Sequence, residues 1–218
     1  MRSKSRTVLA IAIAVAALGA AGSASASAAS WWVAGSPLTE AGQTAKLTTK
    51  TKIDEAFVLT TWGGMEIECS NVKAVRSEIV GPNVLQATAL KFAGCSVTEG
   101  NGTCQLEGKT IETVPLKVTA SLGSTKPNDT LVFKPEKGEK LFSFAYHSTG
   151  EECALEGTHE VKGKITTTAP TGQEELAEQE VVFDTSVGAL EIKEGVSSDG
   201  LKGKAKLKLE SGQAWSFH

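Results

Sequence analysis

Four cysteines, four tryptophans, three histidines and a scatter of carboxylates are the side chains of this sequence that could do chemistry. Thiolates exchange electrons or hold zinc when they sit close together, as in Cys-x-x-Cys. Cys69, Cys95, Cys104 and Cys153 lie 26, 9 and 49 positions apart, spacings that fit neither use. An even number of widely spaced cysteines reads instead as two disulfides, for which sequence allows three connectivities. The stretch FAGCSVTEGNGTCQLEG (92–108) decides which one we favour. A hairpin centred on Glu99-Gly100 sets Cys95 opposite Cys104 and leaves Cys69 for Cys153. The Asn101-Gly102 pair is itself a favoured type I′ turn, but centring there would put Cys104 opposite Glu99. We expect the Cys95–Cys104 bridge and a wider loop.

The tryptophans suggest binding. Trp31-Trp32, with Trp62 or Trp215, would form stacking surfaces for sugar rings if exposed. Adjacent residues on a strand point to opposite faces, so an edge strand with one buried tryptophan is the plainer expectation. The histidines (His147, His159, His218) are too far apart for a His-Glu-x-x-His zinc site, and no Gly-x-Ser-x-Gly elbow presents a nucleophile. Paired carboxylates across a cleft can hydrolyse glycans. Glu66 with Glu68, or Glu151 with Glu180, are candidates for such a pair, although exposed acidic faces explain them as well. No cofactor or metal is expected.

These residues need a scaffold, and its compartment is written at the start. MRSKSR is basic, an apolar run follows from Val8 to Ala21, and then comes GSASASA. That order is the signature of a secretory signal peptide, with cleavage after Ala26 or Ala28. Residues 1–28 hold three basic and no acidic side chains, so the remainder moves from a formal charge of −3 to −6 and keeps one arginine, Arg76. An acidic, arginine-poor chain lacks the basic footprint that nucleic acid demands.

The dominant hydrophobic period is two. MEIEC (65–69), LKVTASL (116–122), LFSFAYH (141–147) and LKGKAKLKLE (201–210) each alternate apolar with polar positions. Such alternation marks half-buried antiparallel strands. Further strands are expected at 45–53, 56–62, 84–92, 109–114, 130–134, 153–166, 180–185 and 188–193. Between them lie turn signals such as Gly63-Gly64, Gly81-Pro82-Asn83 and Ser198-Asp199-Gly200. The one helix-like stretch is QEELAEQE (173–180), which follows the linker-like Ala169-Pro170-Thr171-Gly172. The reading is an all-β protein, an antiparallel β-sandwich or barrel-like sandwich stapled by two disulfides. Its core spans 29–168, and 169–218 form a linker plus C-terminal strands, packed on the core or set apart as a small lobe.

On W-W-V-x-G-x-x-L (31–38), I-E-C (67–69), F-x-G-C (92–95), Cys104, T-V-P-L (113–116) and C-x-L-x-G (153–157) running into V-x-G-K-I (161–165), the chain resembles a family of uncharacterised exported β-rich proteins of soil actinobacteria. The resemblance implies a disulfide-stapled extracellular β fold and no activity. The functional expectation is a secreted, non-enzymatic structural or interaction module at the cell envelope or exterior. Its expected partner is cell-wall or extracellular polysaccharide or another envelope protein. The alternatives are a carbohydrate-binding module using exposed tryptophans, and a glycan hydrolase or lyase using paired carboxylates. The lysine ladder at 202–208 is a solvated face that would also attract an anionic polymer.

Overall fold

The computed structural model describes residues 29–38, 44–50, 56–61, 65–82, 84–99, 103–123, 129–150, 153–184, 190–192, 196–198 and 200–218. Every regular element among them is a strand. The first six are β1 (Trp31–Val33), β2 (Ser36–Pro37), β3 (Thr44–Lys50), β4 (Phe57–Thr60), β5 (Glu66–Val80) and β6 (Val84–Glu99). The next six are β7 (Cys104–Leu106), β8 (Thr110–Glu112), β9 (Leu116–Ser121), β10 (Thr130–Pro135), β11 (Lys140–Ser148) and β12 (Gly157–Gly163). The last six are β13 (Ile165–Thr168), β14 (Glu178–Phe183), β15 (Leu190–Ile192), β16 (Val196–Ser198), β17 (Gly200–Leu209) and β18 (Trp215–Phe217).

The largest sheet closes on itself. β5 pairs with β6 along its length, and β6 continues through β9, β10, β13 and β14 to β17. β17 pairs with both β3 and β4, and each of those pairs back to β5. The resulting barrel has eight positions around its wall, one shared end to end by β3 and β4, and β8 extends β6 beyond it. About eight strands give an interior that side chains can just fill. β17 shows why these residues make a wall strand: Leu201, Ala205, Leu207 and Leu209 are buried, while Lys202 and Lys204 are exposed and Lys206 and Lys208 half-exposed.

β5 and β6 are too long to run straight around so small a barrel. Their inward face shifts phase twice, from Ile67 and Cys69 to Val72, and then to Ser77 and Ile79. Gly94 (φ +65) and Arg76 (φ +47) sit at the two shifts, where left-handed backbone turns the pleat over. A methyl group added at Gly94 would run into the Ser70 hydroxyl.

A second sheet, in the order β16-β15-β12-β11-β7, packs on the barrel, and both contribute to one buried cluster. Of the places where the chain passes between the two sheets, β10 to β11 and β12 to β13 lie side by side. A third small sheet, β18-β1-β2, caps the barrel where the β5–β6 turn meets the end of β9. Trp31 N–H donates to Pro82 O at 2.8 Å and Ala29 N–H to Ala120 O at 3.3 Å.

Two expectations need correction. The disulfides are Cys69–Cys95 and Cys104–Cys153, not Cys95–Cys104 and Cys69–Cys153. Cys95 does not face Cys104 across a short hairpin, because the chain leaves the barrel between them and β7 joins the second sheet. The long β5–β6 hairpin sets Cys69 directly opposite Cys95, with Cα atoms 3.9 Å apart. β7 sets Cys104 opposite Ser148, within 5.0 Å (Cα to Cα) of Cys153. Residues 173–180 form no helix: the segment turns, then enters β14, where Gln179, Val181 and Phe183 alternate into the core. Eight residues are too few to hold a helix unaided, and the period-two pattern ahead captures them. The C-terminal strands β14 and β17 complete the barrel wall.

Candidate functional site

The tryptophans mostly serve packing. Trp31 and Trp215 are 0 % exposed, with ring centroids 5.7 Å apart and Phe217 set edge-on at 5.4 Å from Trp31. This corrects their reading as stacking surfaces, because cross-strand pairing of β1 with β18 presses both rings into the cap. Trp32 points to the other face and is half-buried, edge-on to His218 at 5.2 Å. Trp62 lies outside the described residues.

Gln179, 0 % exposed, holds the cap to the barrel. Its amide donates to Glu174 O (2.6 Å) and Trp215 O (2.8 Å) and accepts from Thr171 Oγ1 (2.9 Å). Buried Asp129 accepts from Gly123 N–H (3.1 Å) and Gln173 Nε2 (2.9 Å), tying the loop before β10 to the turn before β14.

The histidines stay apart. His147 is exposed on β11, and His218 Nε2 meets Ser216 Oγ at 3.0 Å. His159 packs against Phe144 and Tyr146, with centroids 5.6 Å away in each case, and its Nε2 meets Leu155 O at 2.8 Å. The Tyr146 hydroxyl and Thr61 Oγ1 share a buried hydrogen bond of 3.2 Å. Burial raises the phenol pKa above its ordinary value, and the Thr61 hydrogen bond only partly opposes this, so the group stays neutral. Glu66 and Glu68 sit half-buried on the outer face of β5, and exposed Glu180 lies opposite Lys206. Glu151 lies outside the described residues. Among the described residues no three His, Cys, Asp or Glu side chains converge as metal ligands would.

Two concavities stand out among the described residues. One lies inside the barrel among Val72, Leu90, Leu131, Phe133, Val181 and Leu207, with about 20 Å³ of space for the centre of a water-sized sphere. That is room for roughly one water. Ser77 is the one polar residue on its wall, 2 % exposed, and its hydroxyl has no partner among the described residues. The other is an open groove of about 430 Å³ at the joint of the two sheets. Lys134 and Pro135 come from the end of β10, Gly138 and Glu139 from the turn into β11, and Lys162, Gly163 and Lys164 from the crossing into β13. Sequence reasoning missed this groove. Its lysines are scattered along the chain and meet only where the two crossings run side by side.

No family model, curated protein or solved structure matches the chain.

Proposed function

We propose that this protein is an exported, non-catalytic interaction module of the cell exterior, which meets its partners through its charged outer faces. The observation that carries the reading is how the chemically versatile side chains are spent. All four cysteines are closed into buried bridges, Trp31 and Trp215 fill the cap, and Tyr146 and His159 pack together. Disulfides of this kind persist in oxidising surroundings, which supports export through the basic-then-apolar leader. Stacking of sugars on tryptophan has lost support, since of the three described tryptophans only Trp32 keeps an accessible edge.

The test is co-sedimentation of the purified, oxidised chain with washed envelopes of the producing cell. Saturable binding that unlabelled protein displaces is the expected result. A chain that stays in the supernatant at every salt concentration overturns the reading.

A further inference from the structure

The charges on the outer β faces follow a pattern among the described residues. Where lysines stand on neighbouring strands, a glutamate generally relieves them. On β14 and β17, Glu178 faces Lys208 and Glu180 faces Lys206. Lys91, opposite Lys73, reaches Glu112 at 4.0 Å. Lys140 and Lys162 also stand opposite one another, but Glu160 lies 3.7 Å from the first and Glu139 3.9 Å from the second.

At the groove this relief is missing for three lysines. Lys117 on β9 lies directly opposite Lys134 on β10. The β10–β13 register ends at Phe133 opposite Ile165, and Lys134 and Lys164, the residues just beyond that pair, both line the groove. Three exposed lysines thus gather where β9, β10 and the start of β13 lie side by side. None of the three has a carboxylate within ion-pair distance among the described residues. Like charges directly opposite on a sheet are destabilising, and this row borders the 430 Å³ groove, whose remaining charges, Lys162 and Glu139, are paired with each other.

We propose that this row and groove bind an anionic glycan chain of the cell exterior, with successive oxyanion groups lying along Lys117, Lys134 and Lys164. Strands are spaced about 4.8 Å apart, so the lysines are anchored at a pitch close to that of one sugar unit, and their flexible stems adjust the ammonium groups to the ligand. Lysine is a point charge without arginine's planar fork, which suits carboxylates or phosphates on a flexible polymer. The groove wall of lysines, glycines, proline and glutamate offers no aromatic face for stacking bases, so a glycan is favoured over a single-stranded nucleic acid. The inference rests on the interaction-module reading and narrows it to one site and one class of ligand.

The experiment measures binding of the oxidised chain to polygalacturonate, which carries carboxylates, to long-chain polyphosphate, which carries phosphates, and to neutral dextran. Binding to an anionic polymer that weakens steeply with salt, with none to dextran, is expected. Whichever polymer binds tighter names the oxyanion. Replacing Lys117, Lys134 and Lys164 together by Gln should weaken binding at least tenfold. Replacing the exposed Lys73, Lys91 and Lys109 by Gln removes the same charge elsewhere and should change it less than twofold. Lys117→Glu restores a complementary cross-strand pair, so it should raise Tm by roughly 1–3 °C while lowering affinity. That combination excludes misfolding as the cause of lost binding.

Equal losses from both triple variants, binding to dextran, no binding to either anionic polymer, or tighter binding to single-stranded DNA would each overturn the site. Envelope co-sedimentation that persists in the Lys117/Lys134/Lys164 variant would also remove this site, yet leave the interaction module standing.

Discussion

Ser77 and Tyr146 are the side chains whose surroundings most constrain what a substitution will do. Ser77 turns a hydroxyl without a partner toward an apolar barrel interior. Removing an unsatisfied buried polar group recovers its desolvation cost. Ser77→Ala should therefore be neutral or stabilising by up to about 1–2 kcal/mol in urea unfolding, and a loss above that range would show a hidden partner. Trp31 is the opposite case. Trp31→Ala should cost about 3–5 kcal/mol, because the ring is 0 % exposed and braces Trp215 and Phe217. Tyr146 gives the molecule an alkaline limit. Its folded pKa lies above the unfolded value of 10.0, so the neutral phenol's contribution is whole below pH 10. That contribution drains away as pH rises from there through the folded pKa. Melting curves across this window should slope downward in the native protein and flatten in Tyr146→Phe.

At the scale of elements, the two bridges and the two pleat reversals set the geometry. Peptide mapping without reductant should recover Cys69 linked to Cys95 and Cys104 linked to Cys153, and a Cys95–Cys104 peptide would refute the described pairing. Chain-entropy reasoning assigns about 3.5 kcal/mol to the shorter loop and about 4 to the longer, so the double serine replacement at 104 and 153 should be the costlier by a small margin. Gly94→Ala should destabilise by about 1–3 kcal/mol through its left-handed backbone and the crowding at Ser70. Adding Ser70→Ala should return part of that loss and leave the backbone share.

These elements also show how far the sequence could be read. Alternation in β9, β11 and β17 was legible because one face is wet and the other buried. The correct pairing of Cys69 was within reach too. Gly81-Pro82 forms the turn between β5 and β6, and counting outward from Pro82 meets Cys69 and Cys95 together. Proximity along the chain between Cys95 and Cys104 outweighed that symmetry. Arg76 hid the continuation of β5, since a charged residue at the pleat reversal breaks the alternation. The lysine row was illegible, because register across β9, β10 and β13 is a tertiary fact that no local pattern encodes.

For the whole molecule, ring closure makes folding a long-range problem. β5 must find β3 and β4, and β17 must find them again from the far end of the chain. Such non-local β topologies fold in milliseconds to seconds. Stopped-flow refolding with disulfides intact should show tryptophan burial in that range, and a microsecond phase carrying the full amplitude would argue against the closed barrel. The placement of sulfur has a further consequence. Cys69–Cys95 fastens the barrel to itself and Cys104–Cys153 fastens the second sheet to itself, so neither covalent clamp spans the seam between the layers. Across that seam run backbone crossings and noncovalent contacts such as Tyr146 with Thr61, and the lysine groove opens directly upon it. A polymer lying in the groove would touch both layers at once, acting as a removable suture where the protein itself has none.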